Sequence, residues 1–298
     1  MMKKVLLFLL AAGLVLSNVS PADVIVILND TFADGDRTNT DLPTDSAVWF
    51  SHPQYLTVSP GSLAVDQAGI GGSSKMWTYF APNGSPVSLE VGHQLIATID
   101  FTPKVAMSGD NTSKNFRFGL FYDPTDSQVL ADRNKDSGGD DNPWIDSTGY
   151  AVQFSLSTTD TAGAIAIGKR TSTTTTSLLG STGAYSWGGS SGKAANLALD
   201  TLYTMTLVLD YQAADLMVVT FTFSEDDNVI ATNSLVDNGL GGKPVYTQFD
   251  QLFFRMSGNV GTADVLDYSR FMIEHVVPEP ATMVLLGLGG LLTTLRRR

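Results

Sequence analysis

Apolar and polar residues alternate along most of the chain. Phe116, Phe118, Leu120 and Tyr122 share one parity, with Arg117 and Gly119 on the other; Tyr150, Val152, Phe154 and Leu156 alternate in the same way with Ala151, Gln153 and Ser155. The longest runs are Tyr203, Met205, Leu207 and Leu209 against Thr204, Thr206 and Asp210, and Met217, Val219, Phe221 and Phe223 against Val218, Thr220 and Thr222. A period of two places each set on one face of an extended chain, so these segments are predicted to be half-buried antiparallel strands. Gln212 to Asp215 is a hairpin-sized connection between the last two. Shorter strands are predicted at 24–28, 49–50, 63–65, 76–80, 95–101, 164–167, 229–232, 252–256 and 268–273. No long amphipathic helix interrupts them, and turns rich in Gly, Asp, Ser and Asn separate them. The expected fold is all-β, an antiparallel two-sheet sandwich with one shared apolar interior. The segment Thr171 to Ser177 is of low complexity. It reads either as an exposed strand or loop or as an O-glycosylated linker.

The two ends break this pattern. Lys3 and Lys4 precede an apolar run from Val5 to Leu16, the charged region and apolar helix of a signal peptide, and Ser20-Pro21-Ala22 puts small residues where a signal peptidase cuts, near Ala22. At the other end Pro278-Glu279-Pro280 is followed by an apolar run from Ala281 to Leu295 and by Arg296, Arg297 and Arg298. Proline fixes its own backbone and drives the residue before it to extended geometry, so the motif separates a folded body from the apolar run. That fifteen-residue run spans roughly 22 Å as a helix, against about 30 Å of bilayer hydrocarbon. Snorkelling arginine stems and local thinning make this a marginal transmembrane helix suited to temporary anchoring. The arginines stay cytoplasmic and the upstream chain lies across the membrane. A buried C-terminal helix is the alternative, opposed by three terminal charges and the Pro-Glu-Pro break. The expected organisation is a signal peptide over 1–22, a sandwich over 23–277 and a sorting and anchor segment over 278–298.

That C-terminal order, Pro278-Glu279-Pro280, apolar run, Arg296 to Arg298, resembles the PEP-CTERM tail of exported bacterial proteins. The resemblance implies recognition and processing by a membrane-embedded exosortase, after signal peptidase has acted at the other end. It also implies a route: inner-membrane anchoring before processing, then the cell surface or extracellular matrix.

Charge narrows the partners. The whole chain carries a formal net charge of −12, and the segment 23–277 retains 13 basic and 29 acidic residues, near −16. Such a surface repels nucleic-acid phosphates and anionic lipid, so no nucleic-acid partner is expected. There is no cysteine, and a body of this size can bury a core without disulfides.

Candidate chemistry is sparse. Asp264-Val265-Leu266-Asp267 and Glu274 do not form the single-strand acid set of a jelly-roll glucanase, although carboxylates from distant strands can still pair in space. His52, His93 and His275 stand alone, without the spacing of a zinc site. No Gly-x-Ser-x-Gly elbow occurs. The chain is therefore expected not to be an enzyme. In the run from Asp132 to Asn142, Asp132, Asn134, Asp136 and Asp140 supply alternating oxygen ligands of the kind that hold calcium, but Ser137 and Pro143 stand where a helical calcium loop needs glycine and glutamate. The run is either a looser calcium site or a solvated acidic turn. Among the tryptophans, Trp49 and Trp77 sit in strand-like context and read as core. Trp144, beside the acidic run, and Tyr185 and Trp187, in a Gly/Ser-rich stretch, are the candidates for stacking on pyranose rings.

A second resemblance rests on Asn29-Asp30-Thr31-Phe32-Ala33-Asp34-Gly35-Asp36-Arg37-Thr38, on Trp49-Phe50, and on Tyr268-Ser269-Arg270-Phe271-Met272-Ile273. These look like exported bacterial bodies with a concanavalin A-like, laminin G-like jelly roll, which implies a concave sheet that often meets carbohydrate. The expected function is noncatalytic carbohydrate binding at the cell envelope or in extracellular polysaccharide. The alternatives are a structural matrix protein without glycan affinity and a divergent polysaccharide hydrolase.

Overall fold

The structure is a computed structural model and describes residues 22–38, 47–51, 56–65, 74–104, 116–124, 128–132, 144–155, 164–172, 178–179, 182–188, 191–193, 197–256 and 266–278. Residues 26–275 form one compact unit; a second comprises 1–25 with 276–298, of which only 22–25 and 276–278 are described.

In chain order the strands are β1 (Asp23–Asp30), β2 (Phe50–Ser51), β3 (Leu56–Ser59), β4 (Ser62–Val65), β5 (Ser74–Tyr79), β6 (Val87–Ser88), β7 (Gln94–Pro103), β8 (Phe116–Tyr122) and β9 (Thr148–Phe154). There follow β10 (Ala164–Arg170), β11 (Tyr185–Trp187), β12 (Ser191–Lys193), β13 (Tyr203–Ala213), β14 (Leu216–Glu225), β15 (Asn228–Asp237), β16 (Gln248–Phe249), β17 (Gln251–Met256) and β18 (Leu266–Val277). Sheet one runs β15-β14-β13-β7-β18-β4-β3, with β1 also on β18; sheet two runs β11-β10-β9-β8-β17-β5-β2, with β12 also on β10. A short ribbon pairs β6 with β16. The strands β17 and β18, late in the chain, lie between strands from much earlier in the sequence, so each sheet is completed by residues from the last third of the sandwich. This is the expected antiparallel two-sheet jelly-roll sandwich.

The predicted strands form, several of them longer than expected: β10 runs on to Arg170, β15 to Asp237 and β18 to Val277, while Leu156 lies outside the described residues. The hairpin between β13 and β14 turns at Ala214 and Asp215, with a register irregularity between Tyr211 and Ala213. Among the described residues no helix is long and apolar enough to cross a membrane. The predicted signal and anchor helices fall almost wholly outside the described residues.

The shared interior forms where the alternating apolar faces meet. Phe221 of sheet one packs on Phe118 and Phe154 of sheet two, with ring centroids 5.9 and 5.2 Å apart, and Phe271 stacks on Phe254 at 5.6 Å. All are at most 1% exposed, and each such ring contributes about 1.5–3 kcal/mol of burial. The stretches that carry the jelly-roll resemblance converge here: Phe32, Trp49 and Phe271 form one aromatic cluster.

Sheet two departs from expectation. Its central strands β8, β9 and β10 are buried on both faces, not one. The reason is a second apolar cluster on the outer face, in which Val129, Trp144, Leu178 and Leu179 lie over Trp77, Phe121, Ala151 and Phe253. Alternation in sequence had marked Arg117, Gly119, Ala151 and Gln153 as the solvent side.

Candidate functional site

The outer face of sheet two holds the unusual chemistry, ordered by strand register into cross-strand rows. In one row Lys75, Arg255 and Arg117 occupy neighbouring positions on β5, β17 and β8, followed by Gln153 on β9. The next row runs Trp77, Phe253, Gly119, Ala151, Gly168 and Trp187. Three consecutive small residues let neighbouring rings sit close against the strands: a Cβ on Gly119 would lie 2.9 Å from the Phe121 ring. A Cβ on Gly168 would lie 2.6 Å from the Trp187 ring, so the ring is seated directly on the glycine backbone.

The cations are set by burial and by each other. Burial, then the charge of Arg255, pushes Lys75 down to about 7 and Arg117 down to about 10. Arg117 and Arg255 both donate to the carbonyl of Leu179, at 2.7 and 3.1 Å. At the other end of the same strands Asp123 N donates to Asp250 Oδ1 at 3.2 Å, and both carboxylates are buried. Burial, reinforced by the charge of Asp123, pushes Asp250 up to about 7. This carboxylate pair was not legible in sequence, because the two residues are 127 positions apart.

Beside it opens a cavity of about 650 Å³ whose walls include Phe50, Tyr79, Phe80, Gln128 and Leu130. The local chain is tied down: Tyr79 Oη accepts from Val129 N at 2.9 Å, and Gln128 Nε2 donates to Ala81 O at 2.8 Å. Aromatic walls with one amide and one phenol suit a ligand with both apolar faces and hydroxyls.

The sequence-predicted stacking residues fare differently. Trp144 is 1% exposed, edge-on to Trp77 at 5.2 Å and to Phe253 at 5.3 Å. Tyr185 is 7% exposed and its hydroxyl donates to Leu178 O. Neither presents a free face, because both are needed to cover the outer face of sheet two. Trp187 lies on β11, in a strand and not a loop, half-buried against Tyr185 and Gly168. Trp49 and Trp77 are core, as read.

Asp132 is committed within the protein. Arg37 donates to Oδ1 at 2.9 Å and to Oδ2 at 2.5 Å, and Ser51 N adds a bond to Oδ1 at 2.9 Å. A carboxylate with both oxygens in a guanidinium fork is a poor start for a calcium shell. Asn134, Asp136 and Asp140 lie outside the described residues, and among the described residues no group of three His, Asp or Glu is placed to hold a metal. His93 and His275, read as isolated, meet across sheet one: Nδ1 of His93 is 3.0 Å from Nε2 of His275. Burial, then the neighbouring ring, lowers the His275 pKa. Pro278 ends the described chain, and Glu279, Pro280, Arg296, Arg297 and Arg298 lie beyond it.

Several solved structures align with most of the chain at low sequence identity. Peanut lectin with a bound nine-residue peptide aligns with 87% of this chain and 100% of its own, at 12% identity and a TM-score of 0.46. Lectin I from Ulex europaeus, in complex with the methyl glycoside of α-L-fucose, aligns over 86% and 98%, at 12% identity and 0.46. The endo-1,3-β-glucanase from Streptomyces sioyaensis aligns over 88% and 99%, at 12% identity and 0.43. Likenesses at this level assign no residue a role. No curated protein matches the chain. Residues 276–298 match the PEP-CTERM protein-sorting motif, so this β-sandwich protein ends in a PEP-CTERM sorting signal.

Proposed function

We propose that the chain is exported, held for a time in the inner membrane by its C-terminal segment, and processed by an exosortase for delivery to the cell envelope or extracellular matrix. There the sandwich acts as a noncatalytic carbohydrate-binding module. The observation that carries the binding reading is the cavity beside Phe50, Tyr79, Phe80 and Gln128, since aromatic rings match the apolar faces of sugars and the amide reads a hydroxyl. One observation supports the noncatalytic reading: Asp123 and Asp250, the buried carboxylates beside the cavity, are 4% and 1% exposed, too enclosed to flank a glycosidic bond.

A second reading, a structural matrix component, draws on the outer face of sheet two, which the protein fills with its own side chains. A glycan array probed with the full-length protein in detergent separates the two. Saturable binding that weakens in Gln128→Ala supports the module, whereas the absence of any saturable ligand, with and without calcium, leaves the structural role. Intact mass of protein recovered from its native cell tests the sorting route: both termini should be shortened in the wild type, and Glu279→Ala should retain its tail.

A further inference from the structure

At the edge of the sandwich, where β10 of sheet two meets β15 of sheet one, Lys169 and Asp237 share a dry chamber. Both side chains are 0% exposed, and Lys169 Nζ lies 2.8 Å from Asp237 Oδ2. Every remaining polar position of the carboxyl is occupied. Tyr150 Oη donates to Oδ2 at 2.6 Å. The amides of Gly239 and Leu240 donate to Oδ1 at 3.0 and 2.8 Å. Gly239, at φ 104, takes the left-handed conformation that turns these two successive amides toward one oxygen. Nζ also donates to the Lys243 carbonyl at 2.7 Å and sits 4.7 Å above the Tyr246 ring.

A buried ion pair alone adds little to stability, since the desolvation of both charges offsets their attraction. This one has the parts of an acyl-transfer site. A lysine amine is the nucleophile. Two backbone donors face one carboxyl oxygen as an oxyanion hole, and a phenol faces the other oxygen. Burial, and next the bond to Asp237, drives the Tyr150 phenol far above its usual range, so it remains a proton donor.

We propose that Lys169 and Asp237 condense into an intramolecular isopeptide bond that staples the two sheets together. One proton passes from the ammonium to Oδ2, giving a neutral amine and a neutral acid. The Nζ lone pair attacks Cγ, and Oδ1 takes the negative charge beneath the Gly239 and Leu240 amides. The Cγ–Oδ2 bond then breaks. Oδ2 leaves as water with a second proton that originates on Nζ and is relayed by the Tyr150 hydroxyl. One N–C bond forms, one C–O bond breaks, one water is released, and nothing is oxidised or reduced. Exclusion of bulk water from the chamber opposes the reverse reaction. The bond closes a long loop between strands of different sheets, a covalent restraint in a chain that has no cysteine. The inference is independent of the carbohydrate reading.

The test is the intact mass and peptide map of the full-length chain after purification. The expected mass is lower by one water than the mass calculated for the termini found in the peptide map, with proteolysis releasing a branched peptide that joins Lys169 to Asp237. Lys169→Arg and Asp237→Ala should recover the unmodified mass, and Tyr150→Phe should slow the appearance of the branched peptide. A chain at the calculated mass for its termini, with both linear peptides, overturns the proposal. So does loss of one water with only linear peptides, which marks a cyclic imide at Asp237. Because the wild-type map decides alone, a variant that fails to fold does not weaken the test.

Discussion

Trp49 Nε1 donates to Asp30 Oδ2 at 2.7 Å, joining the end of β1 to the residue that precedes β2. The same carboxylate accepts Ala47 N at 3.1 Å and Phe32 N at 2.8 Å. Asp30 and Trp49 are both 0% exposed. Asp30→Ala therefore leaves three enclosed donors without an acceptor and is expected to cost about 3–5 kcal/mol. Asp30→Asn keeps an acceptor oxygen and should cost less. Urea denaturation followed by tryptophan fluorescence ranks the two, and equal stabilities for Asp30→Ala and wild type would remove the role assigned to this carboxylate.

Two buried groups give stability an unusual dependence on pH. Asp250 is raised from 3.8 to about 7, so the folded state holds a proton that the unfolded state has released, and stability falls as pH rises from about 4 to 7. Lys75 is lowered from 10.5 to about 7, so the unfolded state holds the extra proton, and stability rises as pH climbs from about 7 toward 10. Each contribution is on the order of a few kcal/mol. From these two groups a minimum near neutrality is expected in chemical denaturation across this range. Asp250→Asn should flatten the acid arm and Lys75→Met the alkaline arm. Arms unchanged by these substitutions would disprove the assignment.

Gly168→Ala should unseat Trp187, since the new methyl would lie 2.6 Å from its ring. A loss of about 1–3 kcal/mol is expected from overpacking, together with a red shift in tryptophan emission. In a Trp187→Ala background the same substitution should be nearly neutral, because the clashing partner is gone. A full penalty in that background would locate the strain elsewhere.

The Arg37 fork on Asp132 predicts a structural effect that does not require calcium. Burial opposes the Asp132 charge, but the bonds from Arg37 and Ser51 outweigh it and hold the carboxyl below its usual range. Its stabilisation is therefore present above about pH 4 and lost as pH falls further through the depressed value. Asp132→Ala should lower stability by about 1–2 kcal/mol, to the same extent with and without EDTA. Arg37→Lys should not rescue the bidentate contact. A melting temperature that drops on chelation in the wild type and not in Asp132→Ala would restore the metal reading.

Strands were easy to read where one face meets the core. The alternation of β13 and β14 survives almost residue for residue as alternating burial. It misled at β8 and β9, where Gly119, Ala151 and Gln153 read as a solvent face but are buried beneath a second layer. Trp144 and Tyr185 were misplaced for the same reason. A polar or Gly-rich neighbourhood says where the chain turns, not whether the turn folds back over a sheet. The short strands β3, β6, β11, β12 and β16 carry too few residues to show a period.

Local order along the chain was enough to establish strand periodicity, the sandwich class and the C-terminal sorting signal, because each depends on neighbours in sequence. The pairings that carry chemistry were decided only by folding. Lys169 with Asp237, Asp123 with Asp250, His93 with His275 and the row Lys75, Arg255 and Arg117 all join residues far apart in the chain. Sheet order and register bring them together, and burial then sets their charge. Neither quantity is a property of local sequence, because β17 and β18 bridge strands from distant parts of the chain in both sheets.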